Sequence, residues 1–171
     1  MVRWEAPPCG TFKINMDGGF ILKSREAGIG GLIRNSDGQW IIGFSEPVKV
    51  ERVLHAELLA IKKGLKLAWN VGCHNVIYET DSTCSLELIK WASTNVHIFR
   101  EVIGEIRKIC ERKWERVELV HVFREGNQCT DYLAKFGSRH PYHCLWVFSL
   151  YTLVKQLEDD AKGTFYFRRK L

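Results

Sequence analysis

The chain has 171 residues, 46% of them apolar and 26% charged, which is ordinary for a soluble globular protein and suits one domain with a proper core. A formal net charge of +5 permits an anionic partner without demanding one. Six cysteines without a Cys-x-x-Cys pair, and no secretory leader or glycosylation sequon, argue against a disulfide framework or a zinc site and for reduced thiols inside a cell; the longest apolar run, Cys144 to Val154, is too short to span a bilayer.

The opening "RWEAPPCG" reads as loop, because Pro7 and Pro8 favour extended backbone. A first strand follows in "FKINMD", where Phe12, Ile14 and Met16 share one face and Lys13, Asn15 and Asp17 the other. It stops on Asp17 and runs into Gly18 and Gly19. "AGIGGLIRNSDGQWIIGFSEPV" is a predicted hairpin around Asn35-Ser36-Asp37-Gly38; its Gly28-x-Gly30-Gly31 lacks the Lys-Ser/Thr of a phosphate loop and sits inside a strand pattern. From Ala56 to Trp69 the period becomes helical, with Leu58, Ile61, Leu65 and Ala68 inward and Gly72 as the stop. "NVIYETD" is a short strand ending on Asp81, and "STCSLELIKWA" a helix that Ser82 can cap. After a short polar linker, Ile98 to Cys110 forms an amphipathic helix with Phe99, Val102, Ile103, Ile106 and Ile109 inward. "RVELVHVF" is a strand. Asn127 is placed to cap a last helix through Phe136, which Gly137 ends.

Asp17, Glu57, Asp81 and Asp131 sit where acids are awkward. Each has an ordinary reading: Asp17 and Asp81 are strand-end turn residues, and Glu57 and Asp131 favour the dipole at a helix start. Taken together they mean more. If the strands ending on Asp17 and Asp81 are neighbours, the two acids emerge side by side, and a helix packed on those strands brings Glu57 to the same edge. Such a cluster repels itself unless a cation shares it, and hard divalent cations prefer oxygen ligands.

Asp17-Gly18, "HAELLAI" with Glu57, "YETDS" with Asp81 and "REGNQCTDYLAK" with Asp131 resemble, in order, spacing and context, the ribonuclease H type 1 family. The leader and the wording of the last motif resemble the ribonuclease-H-like domains abundant in plant genomes, many associated with retroelement reverse transcriptases. The resemblance covers roughly Phe12 to Gly137. It implies an α/β ribonuclease-H-like fold, a five-stranded mixed sheet flanked by helices, over residues 12–138, after a leader at 1–11 and before a tail at 139–171 that packs on the domain. It implies two Mg²⁺ ions, replaceable by Mn²⁺, held by Asp17, Glu57, Asp81 and Asp131, and hydrolysis of the RNA strand of an RNA–DNA hybrid. Gly18 and Gly19 would leave room for a sugar–phosphate backbone; Thr83 and Arg124 are further candidates for contact with nucleic acid. The expected partner is a hybrid or another nucleic acid, not a membrane, met by a monomer in the nucleus or cytoplasm.

Some wording departs from the family. Phe20 follows Gly19 where a serine is common. Arg52-Val53-Leu54-His55 replaces asparagine-rich wording before Glu57 that in the family contacts RNA 2′-hydroxyls, and Thr83 stands two residues after the third acid, where a glutamine is frequent nearby; the 2′-hydroxyl distinguishes RNA from DNA, so these departures bear on the choice between them. His121 reads as a strand residue. The run Arg107, Lys108, Arg112, Lys113 and Arg116 around Trp114 reads as a solvated helix face or a nucleic-acid contact, and the aromatic tail with Arg168, Arg169 and Lys170 as a segment folded back on the domain or a partner site. These departures keep open a second function: a catalytically silent nucleic-acid-binding module derived from a retroelement.

Overall fold

The computed structural model describes residues 1–92 and 97–167. The elements in order are β1 (Phe12–Ile21), β2 (Glu26–Arg34), β3 (Trp40–Val48), α1 (Val53–Asn70), β4 (Asn75–Thr80), α2 (Thr83–Trp91), α3 (Arg100–Cys110), β5 (Arg116–His121), a 3₁₀ turn (Arg124–Gly126), α4 (Gln128–Arg139), β6 (Cys144–Trp146) and α5 (Tyr151–Ala161). They form one mixed sheet of six strands in the order β5-β4-β1-β2-β3-β6. β1, β2 and β3 are an antiparallel meander, while β4 and β5 run parallel to β1. The sixth strand is the difference from the five expected: three residues of β6 extend the β3 edge.

The alternation in β1 assigns the two faces. Ile14 and Met16 are buried with Ile61, Leu65, Tyr78, Ile103 and Ile106, so α1 and α3 cover that face. Leu32, Cys129, Leu133, Leu153 and Leu157 form a smaller core under α4 and α5.

On the second face, beside the smaller core, lies a chain of buried polar groups. Lys13 pairs with Glu79 at 2.7 Å, and Glu79 accepts from Asn15 Nδ2 at 2.7 Å. The Asn15 carbonyl accepts from Trp4 Nε1 at 3.2 Å and from Arg34 Nη2 at 2.8 Å. Arg34 lies 3.7 Å over the Trp4 ring and donates to Asp160 of α5 at 2.9 Å. Tyr166 donates to Asp160 at 3.1 Å, and a backbone bridge joins it to Val2. Leader and tail therefore meet over one sheet face. The outward side of the tail differs: Phe148, Tyr151 and Phe167 are exposed.

Several boundaries differ from those read in the sequence. β1 does not stop at Asp17 but continues through both glycines to Ile21, because β2 goes on pairing with it. α4 does not end at Gly137; it passes through to Arg139, and Gly137 packs on the Glu46 backbone, where a Cβ would lie 2.6 Å from the carbonyl oxygen. Asn127 holds the cap position without a capping side-chain bond. Arg168, Arg169 and Lys170, and most of the linker between Trp91 and Ile98, lie outside the described residues.

The side chains of Arg34 and Asp160 are only 1% and 4% exposed, so removing one leaves a buried charge without its partner. Asp160→Ala is expected to cost about 3–5 kcal/mol in urea unfolding. Arg34→Met/Asp160→Leu together should recover most of that loss, and a double variant as unstable as the single one would contradict this account of the pair.

Candidate active site

Backbone packing brings the four acids together. β1 and β4 pair in parallel as far as Met16 and Thr80, so the next residues, Asp17 still within β1 and Asp81 just past the end of β4, come side by side. Gly18 follows, and a Cβ there would lie 2.3 Å from the Glu57 backbone nitrogen. Only glycine lets the start of α1 rest on β1 at that point, and this contact carries Glu57 to the edge beside Asp17. The space at Gly18 is thus filled by α1, not left for a ligand. At Gly19 a Cβ would meet Ala134 Cβ at an ordinary 3.9 Å.

On the opposite face α4 is pinned from two sides. Asn127 donates from Nδ2 to the Met16 carbonyl at 2.8 Å, which explains why its side chain does not cap. Gly30 pairs with Asp17 across the hairpin, and a Cβ on it would lie 2.3 Å from the Ala134 nitrogen. One turn before Ala134, Asp131 is thereby held at the same corner.

The electrostatics follow from that placement. Burial, then the charges of Asp81 and Asp131, push the Asp17 carboxyl from 3.8 up to about 7, with Arg124 opposing and Glu57 adding to the rise. Burial also raises Glu57 and Asp81. Glu57 is eased by Ser82, whose hydroxyl donates to it, and by Ser85 Oγ at 3.2 Å. His121 ends β5 opposite Thr80, as its strand pattern required, and its charge eases Asp81. Asp131 differs. Burial works to raise it, but hydrogen bonds from Lys135 at 2.5 Å and Arg124 at 2.9 Å outweigh that and hold it below the usual range.

Among the described residues no three His, Cys, Asp or Glu side chains are gathered tightly enough to hold one metal ion as they stand. The donor set nonetheless suits a hard divalent cation: all four groups are carboxylates, and Asp17 ionises with difficulty until a positive charge reaches it. Glu57 and Asp131 are meanwhile occupied by hydroxyl and cationic neighbours.

The other sequence candidates are placed as follows. Thr83 opens α2, exposed, two residues after Asp81, with Ser82 as N-cap accepting from the Ser85 nitrogen. Arg124 is 70% exposed at the rim. The basic run disperses: Arg107 caps the end of α2 by donating to the carbonyls of Ile89, Leu88 and Ala92, Arg112 lies over Trp69, and Arg116 pairs with Glu118. Ser85 and Lys135 escaped the sequence reading. Each is one helical turn from a motif residue, Ser82 and Asp131, and i, i+3 or i, i+4 spacing was the available signal.

Residues 15–137 match the family described as reverse transcriptase-like. An Arabidopsis thaliana protein named "Putative ribonuclease H protein" is 30% identical over 137 residues, 80% of this chain; the chain spans 22% of that relative's length. Among solved structures, the N-terminal RNase H domain of Rv2228c from Mycobacterium tuberculosis superposes with a TM-score of 0.68 at 19% identity, covering 75% of this chain and 94% of that one. RNase H1 from Halobacterium salinarum gives 0.67 at 20%, covering 74% and 96%. LC11-RNase H1 in complex with an RNA/DNA hybrid gives 0.66 at 22%, covering 75% and 96%. The structures speak for the fold and the sequence match for the lineage: the chain belongs to the reverse transcriptase-like family, of ribonuclease H type.

Proposed function

We propose that this domain hydrolyses the RNA strand of RNA–DNA hybrids at the four-carboxylate corner, using two Mg²⁺ ions that Mn²⁺ can replace. The observation that carries the reading is the burial of Asp17 against Asp81, Asp131 and Glu57, an arrangement that costs stability unless cations share it. Divalent cations bound there supply an activated water and stabilise the departing 3′ oxygen. The chain's own residues do the rest. Asp17, Glu57, Asp81 and Asp131 would hold the cations, with Asp17 giving up its proton and Glu57 its bond from Ser82 on binding. Arg124, released from Asp131, is free to take a phosphate. Gly19 and Thr83 would contact the sugar–phosphate backbone, and Gly18 would serve it indirectly by seating Glu57. No residue of a second copy is needed, so the domain is read as a monomer, and its six free thiols suit an intracellular setting.

The second reading is a nucleic-acid-binding module without catalysis. One observation favours it: Glu57 and Asp131 are already satisfied by Ser82, Ser85, Arg124 and Lys135.

Incubation with an RNA–DNA hybrid labelled on the RNA strand separates the two. In Mg²⁺ the wild type should nick the RNA and leave 5′ phosphates, while EDTA or Asp17→Asn should abolish nicking. Binding without cleavage at micromolar enzyme would establish the silent module instead.

A stability experiment tests the shared site independently of activity. Asp17 binds a proton in the folded state up to about pH 7, and in the unfolded chain only up to its ordinary value of 3.8. Its relative contribution is therefore intact below pH 4 and is lost as pH rises towards and through 7. In EDTA, Asp17→Asn should gain on the wild type between pH 5 and pH 8 by an amount on the order of 2 kcal/mol. Saturating Mg²⁺ should restore the wild type by roughly 2.7 kcal/mol at a hundredfold excess over Kd and leave the variant nearly unchanged. Parallel pH profiles of the two proteins in both buffers would rule out the shared-cation corner.

A further inference from the structure

Of the four acids Asp131 alone, among the described residues, has both carboxylate oxygens bonded to cations. Arg124 Nη2 donates to Oδ1 at 2.9 Å, and Lys135 Nζ to Oδ2 at 2.5 Å. The two cations differ in origin. Lys135 stands four residues along α4, the ordinary spacing of a helical ion pair. Arg124 reaches across from the 3₁₀ turn, and its charge also opposes the burial that raises Asp17, Glu57 and Asp81. Asn127 frames both ends of this contact. Its side chain is tied to the Met16 carbonyl, its backbone nitrogen donates to the Arg124 carbonyl at 2.9 Å, and its own carbonyl accepts from the Asp131 nitrogen at 3.2 Å. The two backbones are thus fixed on β1, while the Arg124 side chain is 70% exposed and has room to swing away.

We propose that Arg124 is a tethered counter-ion, a latch that balances the corner from within and competes with divalent cations for Asp131. The inference rests on the functional reading above and names a regulation of its site, by the level of free divalent cation. A cation that takes Asp131 Oδ1 has to break the Arg124 bond, so the latch raises the concentration at which the corner loads. Loading in turn releases the guanidinium, and the phosphate contact assigned to it becomes available only in the loaded state. By linkage the two events favour each other by one factor. The sign of the effect separates a latch from a residue that builds the site. Removing a builder weakens cation binding, and removing a latch tightens it.

The test is calorimetric titration of the whole chain with Mg²⁺ alone at pH 9, above the range in which Asp17 takes up protons. Arg124→Gln should tighten binding about fivefold, the upper range for a partly exposed ion pair. Arg139→Gln removes the same charge roughly 12 Å farther along α4 and should change binding by less than about twofold. Asp131→Asn separates competition from the mere field of a charge. While latched, Asp131 contributes little, so this change alone should weaken binding only slightly, and adding Arg124→Gln to it should no longer tighten it. Thermal melts supply a second readout: Arg124→Gln should melt below the wild type in EDTA and close or reverse that gap in saturating Mg²⁺. Unchanged or weaker binding in Arg124→Gln, equal tightening with and without the Asp131 carboxylate, loss of all binding in Asp131→Asn, or the same melting deficit in both buffers overturns the latch and leaves the nuclease reading standing. A wild type that binds no Mg²⁺ overturns both. The expected pattern in a domain that never cleaves supports the latch and retires only the nuclease reading.

Discussion

Two helices rest directly on the strand backbone on opposite faces of the sheet, and the rest of the site depends on those contacts. A side chain at Gly18 would collide with the Glu57 nitrogen, and one at Gly30 with the Ala134 nitrogen. With both absent, α1 and α4 close onto β1 and β2 at neighbouring positions of the same ladder. Glu57 and Asp131 are delivered to Asp17 by these approaches, and Asp81 by the parallel register of β4. Close packing of backbone, not attraction among side chains, assembles four groups that repel one another.

The assembled corner works against stability. Asp17 is buried among like charges, and the neighbours relieve it unevenly. Ser82 and Ser85 hold Glu57, and Lys135 and Arg124 hold Asp131, while Asp17 has no comparable partner among the described residues and carries the largest displacement of the four. The stabilising elements lie elsewhere on the same strand: two residues before Asp17, Asn15 anchors the leader, β2 and β4 through one buried network that reaches α5. β1 can hold a costly carboxyl at one end because its middle is tied from both sides.

Much of this was legible in the residues. Alternation from Phe12 to Met16 assigned the faces of β1, helical spacing located α1 and α3, and the order of the four acid motifs pointed to the corner where the fold assembles them. What escaped had long-range causes. Gly18 read as room for a sugar–phosphate backbone and Gly137 as a helix stop, because a contact glycine looks like any other until the element packed on it is known. Asn127 read as a cap, but its partner is the Met16 carbonyl, 111 residues away in sequence. β6 is three residues long, too short for a period to register, and exists because β3 offers an edge. The buried Arg34–Asp160 pair joins residues 126 apart, so neither carried a local sign of its partner.

The central claim is that the corner is a cation site whose protonation state is set by burial and mutual repulsion. Calorimetric titration of Mg²⁺ into the protein at pH 7, repeated in buffers of different ionisation heat, tests it most directly. With Asp17 near half-protonated at that pH, binding should expel about half a proton per chain, the expulsion should fade by pH 9, and Asp17→Asn should abolish it. Binding of Mg²⁺ with no dependence on buffer, or equally strong in the Asp17→Asn protein, would contradict the account.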